Sequence, residues 1–150
     1  MRIYIDTSVI SSLCDAESRI KDITNDFFRT YSASRTVFYI SDLVTREIEK
    51  TKDASKRVKL INTISEYDFE IIAITEEVGV LAELYIKEKI IPVKYIADAM
   101  HIAVASVYNV PILVSWNFQH MVKYKTRIEI NRVNRSNNYP QIEICSPEEM

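Results

Sequence analysis

Gly79 is the only glycine in the 150-residue chain, where ordinary usage of about 7% would supply about ten. That scarcity removes whole classes of chemistry. A P-loop wraps phosphate in backbone N–H groups that only a glycine-rich turn presents. A dinucleotide-binding turn needs three glycines, and a G-x-S-x-G nucleophile elbow needs two. Any chemistry here rests on side chains.

The rest of the composition is that of an ordinary folded domain: 47% hydrophobic and 27% charged, with a net charge of −2. A chain of this length is expected to form one domain, residues 1–150, burying roughly 69% of its surface without staples. Cys14 and Cys145 lie far apart with no C-x-x-C, which predicts buried thiols in a reducing, cytoplasmic setting. Two histidines, His101 and His120, are too few for a histidine-based zinc site. The N-terminus lacks a signal core and no apolar run is long enough to span a membrane.

Periodicity predicts strands at Arg2–Asp6, Thr36–Ile40, Phe69–Ile74, Pro111–Ser115 and Gln141–Cys145. Between them it predicts helices at Ser8–Cys14, Ser18–Ala33, Asp42–Lys50, Ala54–Tyr67, Thr75–Glu88 and Val93–Tyr108. A short helix over Asn117–Val122 leads into a basic helical segment reaching Arg135. The alternation means an α/β fold with a mostly parallel sheet of four to five strands. Ligands of such sheets sit beyond the carboxyl ends of strands, near a topological switch point.

Four polar residues fall where apolar ones are expected. Asp6 closes the first strand after Ile3 and Ile5, as a helix N-cap, a ligand or both. Glu47 projects between Leu43 and Val44 on the packing face of its helix, whereas Glu49 points away. Asp98 lies in YIADAMHIAVAS among apolar neighbours. A buried carboxylate needs a cation, a salt-bridge partner or several donors. Asn117 follows the PILVS strand, as a helix cap or as a carbonyl ligand to a hard cation. Oxygen donors with little histidine and no Cys favour Mg²⁺ or Mn²⁺ over zinc. Such a set can activate water against a phosphodiester. His101, one turn after Asp98, reads as a structural histidine.

The stretches IYIDTSVI, SDLVTREI, ADAMHIAVA and ILVSWNFQHM, in this order, resemble a PIN-domain ribonuclease, most closely the VapC-like toxins of type II toxin–antitoxin pairs. The resemblance spans roughly residues 1–145. It implies a three-layer α/β/α fold and a Mg²⁺- or Mn²⁺-dependent endoribonuclease. It assigns metal-holding roles to Asp6, Glu47 and Asp98, and Ser8 and Ser115 to their support. Asn117 stands where many members carry a fourth aspartate. It also implies an antitoxin partner and a homodimer. A haloacid-dehalogenase-like phosphatase also opens on a strand-end Asp, but needs a second Asp where this chain has Ser8.

RNA would be met by a local patch. Lys123, Lys125, Arg127, Arg132 and Arg135 face one acid, Glu129, between residues 118 and 142. Trp116, Phe118 and Tyr124 offer rings for unstacked bases, and His120 lies beside them. A solvated helix face is the plainer reading of the same residues. The alternative functions are a PIN nuclease outside any toxin–antitoxin pair and a non-catalytic PIN scaffold.

Overall fold

β1 (Arg2–Ile5) is the middle of a five-stranded sheet whose order is β3-β2-β1-β4-β5. The other strands are β2 (Val37–Ser41), β3 (Phe69–Ile72), β4 (Ile112–Val114) and β5 (Glu143–Cys145). Every pairing is parallel. The computed structural model describes residues 1–150. The chain winds outward from β1 to β2 and β3, then returns to place β4 on its other side. The β1/β4 seam is therefore the switch point at which an open parallel sheet leaves a crevice.

Side-chain alternation on β1 builds two cores. Ile3 and Ile5 point into a layer with α1 (Thr7–Leu13), α2 (Arg19–Ser32), α3 (Asp42–Glu49) and α4 (Ala54–Glu66). Tyr4 points the opposite way, among α5 (Glu76–Lys87), α6 (Ile96–Val107) and α7 (Tyr124–Ser136). The sheet has helices on both faces, so the three-layer α/β/α architecture is as expected, with five strands.

Three departures from the sequence reading have clear causes. Asn117–Val122 is not a helix but a hydrogen-bonded turn. There Met121 and Val122 both donate to the Asn117 carbonyl, at 3.1 and 2.9 Å. The segment from Val93 begins as a single 3₁₀ turn, Val93–Tyr95, before α6 starts at Ile96. Pro92 precedes that turn, and Tyr95 donates to its carbonyl. Cys14 is only half-buried, unlike Cys145, and both thiols are free. Burial pushes the Cys145 thiol up to about 12, which keeps it protonated.

The missing glycines are visible at helix C-termini. α5, α6 and α7 all end with a residue at positive φ: Lys89 (58°), Asn109 (52°) and Asn138 (61°). Each shows the paired closing bonds of a Schellman motif. Ile90 donates to Tyr85, Val110 to Ala105 and Tyr139 to Asn134, at 3.0, 2.8 and 2.9 Å. Asn tolerates this conformation better than most side chains, but Lys89 takes it without that help. Gly79 sits instead inside α5, where it is not conformationally required.

Candidate active site at the carboxyl ends of the central strands

Asp6 ends β1 at the crevice, and its position comes directly from β1–β4 pairing. Ile5 is in register with Val114, and the Asp6 N–H reaches the Val114 carbonyl at 3.3 Å. Its carboxylate caps α1 by accepting from Val9 N–H at 3.2 Å. The cap does not exhaust it. Ser8 Oγ donates to Oδ1 and Ser115 Oγ to Oδ2, both at 2.6 Å. The same two hydroxyls accept backbone N–H groups beyond β4: Trp116 N donates to Ser8 and Asn117 N to Ser115, both at 2.9 Å. A hydroxyl has one proton to give. Spending it on Asp6 while accepting from the loop ties the ends of β1 and β4 to one carboxylate. Asp6 is 4% exposed. Burial raises its carboxyl above the ordinary value of 3.8, against the pull of His101, Ser115, Ser8 and Val9.

Glu47 enters from α3, half-buried. Its Oε1 accepts from Thr7 Oγ1 at 2.9 Å and lies 2.7 Å from His101 Nε2. The partner is therefore neither Lys nor Arg, but a histidine that is 3% exposed. His101 Nδ1 stands 2.8 Å from the Tyr4 hydroxyl, which in turn lies 2.8 Å from Ser41 Oγ. This chain of contacts runs from β2 through β1 to α6 and α3. Burial would raise Glu47, but the bond and charge of His101, with Thr7, outweigh it and hold the carboxyl below its usual range. The same pairing works on His101 in reverse. Burial lowers it, but Glu47, then Asp6 and Asp98, outweigh burial and raise it.

Asp98 reaches the crevice from the first turn of α6. It is half-buried, with Ala99 and Ile102 buried behind it. Burial raises its carboxyl, with Asn117 and the rings of His101 and His120 opposing and Glu47 adding to the rise. Asn117 serves as a cap: its Oδ1 accepts from His120 N–H at 3.0 Å. The side-chain oxygen expected to face a cation is thus committed to its own turn, and Asn117 opposes the rise that burial gives the Asp98 carboxyl. Asp6, Glu47 and Asp98, from β1, α3 and α6, all act on the one His101 ring.

A divalent cation is the group that such a set of oxygen donors would take. No three His, Cys, Asp or Glu side chains converge closely enough to enclose one. The donor chemistry nevertheless fits a hard ion: three carboxylates at one crevice, no thiolate among them, and two raised by burial rather than held down by Lys or Arg. Glu47 Oε2 and the anti or syn positions left on Asp6 Oδ2 remain as acceptors, because only Oε1 and single bonds are engaged.

The expected RNA-contacting residues divide. Lys123 and Lys125 are exposed. Arg127 is committed internally, donating to both Glu149 oxygens at 2.7 and 2.9 Å and lying 3.6 Å from Glu143. Trp116 is half-buried with its Nε1 on Thr24 Oγ1 at 2.9 Å, so less of its ring is free than expected. Phe118 and Tyr124 are open, at 51% and 79% exposure. His120 is largely buried against Tyr95, with ring centroids 3.9 Å apart. Thr7, Tyr4 and Ser41 escaped the sequence reading. The clue available was spacing: Thr7 follows Asp6, and His101 stands one helical turn from Asp98.

The parallel sheet, its helical layers and the acidic crevice at the switch point define a PIN-type fold. No protein-family model matches the sequence, and no curated protein does. Among solved structures, the fold is similar to the Rickettsia felis VapBC2 complex bound to a DNA fragment from its promoter. The TM-score is 0.64 and the identity 15%, over 97% of this chain and 98% of that one. It is also similar to Mycobacterium tuberculosis VapC20, a sarcin–ricin loop cleaving toxin. There the TM-score is 0.59 and the identity 13%, over 79% of this chain and 92% of that one.

Proposed function

We propose that this chain is a Mg²⁺- or Mn²⁺-dependent endoribonuclease, the toxin of a type II toxin–antitoxin pair. One observation carries the reading: at the crevice by the β1/β4 switch point, Glu47 touches the buried His101 at 2.7 Å, and Asp6 and Asp98, from separate elements, add their charge to the same ring. The likeness to VapBC2 and to an RNA-cleaving VapC20 supports it. A structural ion pair needs one acid per cation, whereas here three acids share a single histidine.

Asp6, Glu47 and Asp98 would hold the metal. Bound there, it would lower the pKa of a coordinated water and offset charge on a phosphodiester. The chain's own residues do the remaining work. Ser8 and Ser115 hold Asp6 through both oxygens, which fixes its plane. Thr7 and His101 hold Oε1 of Glu47 and leave Oε2 outward. Tyr4 holds the far nitrogen of His101, so the ring cannot rotate without breaking a buried contact. Asn117 holds the loop after β4 closed by accepting from His120 N–H.

The test is cleavage of a single-stranded RNA with Mg²⁺ or Mn²⁺, wild type beside Asp98→Asn and Asp6→Asn. Each variant should lose roughly 10²-fold or more in rate, with divalent-ion binding by calorimetry lost in parallel. A folded wild type that neither binds the ion nor cuts RNA would leave a non-catalytic PIN scaffold as the reading. As a toxin it would act in the cytoplasm, with an antitoxin covering the crevice and a second copy of itself as partner.

A further inference from the structure

We infer that the hollow between the end of α5 and the start of α7 binds a phosphate group of a single-stranded RNA backbone. For the identity of the polymer this rests on the ribonuclease reading.

The cavity measures about 320 Å³, and its wall includes Lys89, Lys123, Lys125, His120 and Thr126. One acid, Glu129, shares the wall. Three separate observations point to an anion. First, α7 starts with the wrong charges. A helix N-terminus favours negative groups and is destabilised by positive ones. α5 follows that rule with Glu76 and Glu77 in its first turn. α7 has no acid in its first turn, and Lys123 and Lys125 stand there instead. Second, the opening N–H groups of α7 have no side-chain cap. Lys123 occupies the N-cap position and makes no capping bond, as an ammonium cannot accept one. Third, His120 is 8% exposed and its Nε2 is buried with no hydrogen-bond partner. An unpaired buried polar atom costs about 1–3 kcal/mol.

A phosphate in the hollow answers all three. It supplies the missing negative charge, accepts from the free backbone N–H groups, and offers an oxygen to the imidazole. Lys89 adds a cation from the far side, held there by its left-handed turn. His120 lines this wall, and its ring also lowers the Asp98 carboxyl. A phosphate bound here is thus next to the acidic crevice, and the exposed rings of Phe118 and Tyr124 flank the same loop. A strand of RNA held through one phosphate would pass its neighbouring linkage toward Asp98.

The experiment uses the whole protein in EDTA, so that nothing is cut. Inorganic phosphate and an unphosphorylated single-stranded RNA octamer are titrated separately while the ring ¹⁵N resonances of both histidines are followed. Both ligands should move His120 before His101. Lys123→Ala/Lys125→Ala, at exposed positions that leave the core intact, should weaken RNA binding about tenfold. It should also flatten the slope of log affinity against log salt by about 0.7 per lysine. Lys89→Ala should act in the same direction. An unmoved His120 with both ligands, or an unchanged affinity and slope in the double variant, overturns the proposal. Movement with phosphate alone overturns the RNA assignment. Cleavage with Mn²⁺, assayed separately, decides the nuclease reading: an inactive protein that still binds RNA here keeps the phosphate site.

Discussion

A methyl group added at Gly79 meets no atom within 4 Å. Glycine inside a helix costs about 0.5–1 kcal/mol relative to alanine. Gly79→Ala should therefore stabilise the protein by that amount in urea denaturation. Lys89 is the converse case. Its φ of 58° burdens a side chain with a backbone state that glycine adopts freely. Lys89→Gly should stabilise by about 1 kcal/mol and weaken RNA binding in the same sample. Stability and binding would then move in opposite directions at one position, as expected where function holds a residue against its local preference. The acids were legible in the sequence because each interrupts an apolar pattern: Asp6 after Ile5, Glu47 beside Val44, Asp98 before Ala99. His101 was legible only as a buried ring. Its bond to Glu47 joins residues 54 positions apart and links α3 to α6 from opposite faces of the sheet, which no local pattern encodes.

At the level of elements, strand-and-helix alternation was readable because every strand is short and apolar and every helix has a face. What failed was the stretch after β4. Asn117–Val122 has helical composition, but it closes on the Asn117 carbonyl and stops. Its purpose is to aim Asn117 and His120 rather than to extend. α7 is held differently, through a buried amide. Asn134 is fully buried; its Oδ1 accepts from Tyr85 Oη, and its Nδ2 donates to Ser106 Oγ at 2.9 Å and to Pro140 O at 3.1 Å. Asn134→Ala removes one bond each from Tyr85, Ser106 and Pro140 and leaves Tyr85 and Ser106 only their mutual contact at 3.2 Å and the Ser106 bond to Ile102 O. The expected cost is about 2–3 kcal/mol, read as a lower urea midpoint with an unchanged slope. Ser115→Ala removes one of the two hydroxyls on Asp6 and should lower RNA cleavage about 10–100-fold, with little change in overall fold by circular dichroism.

For the whole molecule, the surface of 8177 Å² is close to the roughly 7,900 Å² expected for a single folded unit of this mass. No helix is long and apolar enough to cross a membrane. Its stability should depend on pH through the crevice. Asp6 and Asp98 have raised carboxyls, so their contribution is present below the ordinary 3.8 and is lost as pH rises through their folded values. His101 is raised too, so its contribution is full below 6.5 and is lost as pH rises further. Glu47 runs the other way, contributing above 4.5 and failing as pH falls through its lowered value. In EDTA the melting temperature should fall between about pH 6 and about pH 8. Added Mg²⁺ should reduce that fall, because a cation among the carboxylates does what the imidazolium does at lower pH. A melting temperature flat across this range would contradict the shared role of His101.

The order of the sheet has a consequence for when this protein comes into being. Its central strand is synthesised before its neighbours, and β4, which completes the crevice, begins 110 residues later at Ile112. Synthesis of those 110 residues takes about 6–22 s at about 5–20 residues per second. Through most of that interval Asp6 has neither Ser115 to hold it nor Asp98 facing it. The crevice, and whatever chemistry it carries, is therefore complete only once β4 has paired with β1.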